Sequence, residues 1–170
     1  MKNIFLIGFM GCGKSTIASC LSEKYGMAVV EMDEELVLRE GMSIPNIFEK
    51  YGETYFRDAE TKLVLELQDR ERQVVSCGGG VVLREENIAS MKKSGTIVFL
   101  TAKAETILSR VKDDDNRPLL QGKKDVVSIQ EMLNQRRPKY EKAADILIAT
   151  DGRDTEEICK EILEKIGEEQ

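Results

Sequence analysis

Gly8-Phe9-Met10-Gly11-Cys12-Gly13-Lys14-Ser15 is the stretch on which the fold turns. It fits G-x-x-x-x-G-K-[ST], the spacing of a loop that wraps around phosphate. Before it, Asn3-Ile4-Phe5-Leu6-Ile7 is a short apolar run of the kind that forms a buried strand. After it, Ile17, Leu21 and Tyr25 recur at helical spacing, and Gly26 stands where a helix ends. Strand, glycine loop and helix therefore follow one another directly. Glycines let the backbone approach a phosphate with no Cβ in the way. The successive N–H groups then form an anion nest at a helix N-terminus, which carries roughly half a positive charge. Lys14 is placed to reach the β- and γ-phosphates, and the Ser15 hydroxyl to ligate Mg²⁺. At average residue frequencies a chain this long yields on the order of 0.01 chance matches to the motif, before the flanking strand and helix are required.

The rest of the composition bounds what such a loop could serve. With 170 residues, 41% of them hydrophobic and 33% charged, the chain predicts one globular domain over 1–170 with room for a core. Its net charge of −6 argues against a nucleic-acid partner, so any anion site is a local basic cleft. The N-terminal apolar run is too short for a signal peptide, no run approaches transmembrane length, and a cytoplasmic protein without a membrane partner is expected. Cys12, Cys20, Cys77 and Cys159 form no C-x-x-C pair and read as reduced thiols. The absence of histidine excludes a Ser-His-Asp site and the usual zinc constellations. A general base must be a carboxylate or a lysine.

Along the chain, short apolar runs alternate with helical patterns. Ala28 to Asp33 reads as a second strand ending in acids, followed by a polar helix from Glu34 to Glu40 closed by Gly41. Ser43 is a candidate N-cap with Pro45 in the first turn, and Gly52 breaks the helical pattern before Tyr55, Phe56, Ala59, Leu63 and Leu67 resume it. Gln73 to Ser76, Thr96 to Leu100 and Ile146 to Ala149 are further strands. Helices are expected over Glu85–Lys93, Ala104–Lys112 and Ser128–Ala143, with a last one capped by Asp154. The alternation indicates an α/β fold with a parallel sheet. A polar break from Asp113 to Asp125, containing Arg117-Pro118, interrupts it; such a stretch inside a compact domain is usually functional.

Open α/β sheets place their sites at the carboxyl ends of the strands. The loop after strand one, the acids closing strand two and Gly78-Gly79-Gly80 after strand three should therefore converge. Glu31 and Asp33, two apart on one strand, would share a face, one towards the metal's water shell and the other towards a substrate hydroxyl. The glycine triplet can present backbone N–H groups to a ligand. An arginine at 117 that closes over a transferring phosphoryl group would compensate developing charge. Arg57, Arg136 and Arg137, read on their own, are ordinary surface arginines.

Taken together, these residues make the chain resemble the shikimate kinases, over Met1 to about Ile166. The likeness lies in an ordered set: the glycine loop, Glu31 with Asp33, Gly41-x-Ser43-Ile44 leading to Ile47-Phe48, Gly52-Glu53, Phe56-Arg57, Glu60, Gly78-Gly79-Gly80, Arg117-Pro118-Leu119-Leu120 and Arg136-x-Pro138-x-Tyr140. The resemblance implies a three-layer P-loop kinase fold like that of the nucleoside monophosphate kinases. It would have a five-stranded parallel sheet, helices on both faces, a substrate-binding segment at about 33–61 and a lid at about 112–125.

It also implies transfer of the γ-phosphoryl of MgATP to the 3-hydroxyl of shikimate by a monomer. On this likeness Gly11, Cys12, Gly13, Lys14, Ser15 and Thr16 take the nucleotide phosphates, and Arg117 reaches in from the lid. Asp33 holds the reacting hydroxyl, and Arg57 and Arg136 take the substrate carboxylate beside Gly79 and Gly80. Arg110 and Arg153 resemble adenine contacts. Ser15 and Glu31 serve Mg²⁺, with Glu31 standing where the family usually has Asp. The competing readings are another small-molecule P-loop kinase, for gluconate or a nucleotide, and a non-catalytic nucleotide binder. Paired arginines favour a carboxylated substrate, and a mere binder has no use for Asp33.

Overall fold

A computed structural model of the chain describes residues 1–111 and 125–167. In chain order the elements are β1 (Asn3–Ile7), α1 (Lys14–Tyr25), β2 (Ala28–Glu31), α2 (Met32–Glu40), α3 (Ile44–Tyr51), α4 (Glu53–Leu67) and β3 (Gln73–Ser76). After a short 3-10 turn at Val81–Leu83 come α5 (Glu85–Ser94), β4 (Gly95–Thr101), α6 (Ala104–Val111), α7 (Val126–Ala143), β5 (Ile146–Ala149) and α8 (Thr155–Ile166). The strands form one five-stranded sheet in the order β2-β3-β1-β4-β5, every neighbouring pair parallel. This is the α/β arrangement expected from the sequence, and β1 sits at its centre.

Side-chain alternation along β1 sorts the core into two layers. Phe5 and Ile7 face one side with Val75, Ile97 and Phe99, where they meet Leu36, Phe56, Leu63 and Leu67, Met91, Ile129 and Tyr140. Ile4 and Leu6 face the other with Val74, Val98 and Leu100, against Ile17 and Leu21 of α1 and Ile158 and Ile162 of α8. Helices thus cover both faces, as a parallel sheet requires. The caps follow the local chemistry: Gly26 and Gly41 close α1 and α2 in the left-handed conformation, and Ser43 accepts from the Asn46 N–H.

Three boundaries differ from expectation. β2 ends at Glu31, so Asp33 lies in the first turn of α2 and does not share a strand face with Glu31. The run from Ala28 looks continuous, but Met32 and Leu36 are buried four residues apart, and Asp33, Glu34 and Glu35 favour a helix N-terminus. α1 begins at Lys14 itself, directly after Gly13 in a left-handed conformation. α7 begins at Val126, because Asp125 accepts from the Ser128 N–H at 2.8 Å. Apart from Asp125, the expected lid, with Arg117 in it, lies outside the described residues.

The start of β1 is tied to the α4–β3 connection by one buried side chain. Asn3 donates to the Leu67 and Arg70 carbonyls (3.3 and 2.8 Å) and accepts from the Gln73 N–H (3.0 Å). Asn3→Ala removes all three bonds and leaves the buried Gln73 N–H without a partner, while the Leu67 carbonyl keeps the Arg70 N–H. It should lower unfolding free energy by about 2–4 kcal/mol, read from urea denaturation; a loss below about 0.5 kcal/mol would show that the backbone finds other partners.

Candidate active site

The glycine loop runs from β1 into α1 under tight steric limits. Gly8 has φ +144°, and a Cβ there would lie 2.5 Å from the Leu100 carbonyl oxygen. Gly13 has φ +101°, which points the chain into the first turn of α1. Behind the loop, Thr150 Oγ1 lies 3.0 Å from both the Cys12 and the Thr101 carbonyl oxygens and shares its one proton between them. Lys14 Nζ folds back to donate to the Gly8 (2.6 Å) and Phe9 (3.3 Å) carbonyls. Ser15 Oγ donates to Glu31 Oε2 at 3.1 Å. Thr16 is exposed in the first turn of α1. Arg110 sits at the loop's rim and donates to the Gly11 carbonyl at 2.8 Å.

In front of the loop, at the carboxyl ends of the central strands, opens a cavity of about 740 Å³. Lys14, Ser15 and Glu31 line one end, Arg57, Glu60 and Gly78–Gly80 line the other, and Asp33 lies between them, close to Gly78. Phe48, Phe56, Ile44 and Pro45 supply an apolar wall. The volume suits a small polar ring with room for phosphate groups. Although Glu31 and Asp33 belong to different elements, both face this cavity. Ser15 and Glu31 put two oxygens side by side, a donor set suited to Mg²⁺, which binds through few protein oxygens and keeps phosphate and water in its shell.

The far end is built around a buried cation. Arg57 is only 8% exposed. Its Nη1 donates to Glu60 Oε1 (3.1 Å), while Nε and Nη2 donate to Glu53 Oε2 (3.4 and 3.3 Å). A guanidinium has five N–H donors, so among the described residues two remain for a ligand. Glu60 is wholly buried, and among the described residues its Oε2 has no hydrogen-bond partner. Burial pushes the Glu60 carboxyl up to about 7, against the pull of Arg57 and with a further push from Asp33. From α7, Arg136 Nη1 (2.9 Å) and Tyr140 Oη (2.6 Å) both donate to the Gly79 carbonyl, which brings Arg136 to the cavity's edge. Burial lifts the Tyr140 phenol to about 12, so it remains a donor. Cys77, buried beside the triplet, has its thiol pushed far above the usual range by burial, which leaves it unsuited to nucleophilic work.

The glycine triplet acts here chiefly by making room. A Cβ on Gly78 would come within 2.9 Å of both Asp33 Oδ1 and Glu60 Oε2, and one on Gly80 would run into the Arg57 guanidinium. Arg153, placed near the nucleotide by sequence, donates to the Ala149 carbonyl and ion-pairs with Glu161 of α8. Arg137 points away and pairs with Glu141 at 2.7 Å. Sequence reading gave no role to Glu60 or Tyr140. The signal for Glu60 was present, since it falls on the Phe56–Leu63–Leu67 stripe of α4, where a carboxylate needs a partner.

A parallel sheet with a phosphate loop at its centre, and a carboxylate-and-arginine cavity before that loop, defines a P-loop kinase of small molecules. The chain belongs to the shikimate kinase family, whose sequence model, described as shikimate kinase, matches residues 10–167. Among its relatives, a shikimate kinase of Thermodesulfovibrio yellowstonii is 44% identical over 97% of this chain and 95% of its own length. One of Caldicellulosiruptor bescii is 46% identical over 89% of this chain and 87% of its own length. A shikimate kinase from Acinetobacter baumannii, solved in complex with shikimate, superposes with a TM-score of 0.91 at 36% identity, covering 98% of this chain and 93% of its own.

Two neighbouring glycines should respond differently to a methyl group. At Gly79 a Cβ would make only ordinary contacts, 3.6 Å from Tyr140 Oη and 3.8 Å from Arg136 Nη1. At Gly80 it displaces Arg57 from Glu60. Gly80→Ala should cost about 1–3 kcal/mol of stability and Gly79→Ala under about 1 kcal/mol, compared by urea denaturation. Equal costs would show that the Arg57 side chain gives way freely.

Proposed function

We propose that this chain transfers the γ-phosphoryl of MgATP to the 3-hydroxyl of shikimate, giving shikimate 3-phosphate and ADP. The observation that carries the reading is one cavity with a phosphate loop at one end, a buried arginine at the other, and Asp33 between them. A hydroxy acid fits that sequence of groups. Its carboxylate meets Arg57, and Arg136 beside Gly79 supplies a second cation; its hydroxyl faces Asp33. Arginine's planar fork suits a carboxylate, which favours this substrate over a neutral sugar or a base.

Each side chain then has a defined task. On binding nucleotide, Lys14 exchanges the Gly8 and Phe9 carbonyls for phosphate oxygens, keeping its position while gaining a charged partner. The loop from Gly11 through Thr16 supplies backbone donors to the phosphates. Ser15 and Glu31 would hold Mg²⁺, which, when bound, offsets phosphate charge. Asp33 orients the attacking hydroxyl and accepts its proton as the oxygen–phosphorus bond forms. Arg110, at the loop's rim, is the better supported of the two adenine contacts; Arg153, engaged with Glu161, would have to turn.

The span from Asp33 to Thr61 works as the substrate-binding segment, supported by the many cavity walls that α2, α3 and α4 provide. Loop, acid and arginine all come from one chain, which supports action as a monomer. Among the described residues no helix is long and apolar enough to cross a membrane, in keeping with a cytoplasmic enzyme.

ADP release measured with shikimate, gluconate and nucleoside monophosphates in parallel tests the reading; turnover confined to shikimate is expected, and turnover with another acceptor instead would overturn it. Asp33→Asn keeps a hydrogen-bonding group but cannot take a proton. Its turnover should fall about 10²- to 10⁴-fold, with the KM for shikimate changed far less; a drop of only a few-fold would reduce Asp33 to orienting the substrate.

A further inference from the structure

Glu60 presents an unusual electrostatic problem. It is wholly buried in the cavity wall, and among the described residues only Oε1 has a donor, while Oε2 lies beside Gly78 without one. The charged and titratable groups around it come from four directions. Arg57 pairs with it on α4 and is itself shared with Glu53. Asp33 approaches from α2, on the same side of Gly78 as Oε2. Arg136 acts from α7, and Cys77 lies beyond the end of β3. Arg57 pairs with only one of the two carboxylate oxygens.

An incoming carboxylate weakens the hold of Arg57 on Glu60. It places a third negative charge on Arg57, which Glu60 and Glu53 already share, so the cation's field is divided further. It takes the Arg57 N–H groups that Glu53 and Glu60 leave over, which brings its own charge near Glu60, where Asp33 already disfavours ionisation. Both effects favour the neutral acid. We propose that Glu60 takes up a proton from solvent as the substrate carboxylate arrives. Binding of shikimate is then coupled to proton uptake, and Glu60 is a positioning residue whose charge is withdrawn when Arg57 acquires its substrate. This rests on the reading of Arg57 as the anchor of the substrate carboxylate.

The step balances simply. A proton from bulk buffer adds to Oε2, Glu60 becomes a carboxylic acid still accepting from Arg57 at Oε1, and the proton returns when the ligand leaves. Its pH range follows from the free site, where Glu60 titrates near 7. Below that pH the acid is already formed and binding takes up little. Above it, uptake grows, and by linkage the affinity for shikimate falls as pH rises.

Isothermal titration of the intact protein with shikimate, repeated in buffers of different ionisation heat, measures the protons directly. At pH 8 the wild type should take up roughly half a proton or more per shikimate bound. Its affinity should weaken by up to about tenfold per pH unit above 7. Glu60→Gln should bind with heat independent of buffer and with a flat pH profile, whereas Glu53→Gln, altering the exposed partner of Arg57, should keep the uptake. Buffer-independent heat in the wild type overturns the proposal without need of any variant. Uptake that survives in Glu60→Gln, or disappears in Glu53→Gln, assigns the proton elsewhere and also overturns it. No binding of shikimate at any pH is a different failure, which removes the substrate reading and the proposal with it.

Discussion

A guanidinium buried to 8% exposure in the wall of a cavity is the constraint around which the substrate end of this molecule is arranged. An isolated buried charge is costly, and it persists only where it is paired and hydrogen-bonded. Three features answer that cost. Glu60 comes up beneath Arg57 one helical turn later, Glu53 one turn earlier, and Gly80 contributes no side chain where one would strike the guanidinium. The pairing is incomplete on both partners. Among the described residues Arg57 keeps donors to spare, and Glu60 keeps an unmatched oxygen. A site finished to the last hydrogen bond would have nothing left to offer a ligand. Here the unfinished part faces the cavity.

The opposite end is organised by backbone. Gly8 and Gly13 adopt conformations that other residues resist, and Thr150, directly after β5, holds the Cys12 carbonyl. Lys14, Ser15 and Glu31 are consequently held by one another and by loop carbonyls. The cavity therefore runs from a rigid, cationic phosphate cradle to a paired arginine, with Asp33 set between them on the first turn of α2. That polarity supports the proposal of an acceptor with its acid at one end and its reacting hydroxyl at the other.

Much of this was legible in the sequence, for identifiable reasons. The glycine loop could be read because its function fixes residue types at fixed spacing. Gly26, Gly41, Ser43 and Asp154 could be read because caps answer to local hydrogen bonding alone. The start of α2 could not: Glu31 makes no side-chain cap bond, and the apolar run ahead of it continues smoothly into Met32. The burial of Arg57 was hidden because a lone arginine on a helix is ordinarily solvated. Only the helical stripe through Phe56 and Glu60 pointed inwards. The space that Gly78 and Gly80 leave for Asp33, Glu60 and Arg57 was not legible, since it depends on partners from distant elements.

The proposed recognition of a carboxylate by Arg57 is measured most directly by comparing shikimate with an analogue carrying a neutral amide in its place. A charge-assisted hydrogen bond contributes roughly 1.5–3 kcal/mol, so the wild type should favour the acid by about 10- to 150-fold in kcat/KM. Arg57→Ala should lose most of that preference while retaining its affinity for ATP. Equal phosphorylation of acid and amide by the wild type would contradict the account, because the buried arginine would then be holding the fold together and not the substrate.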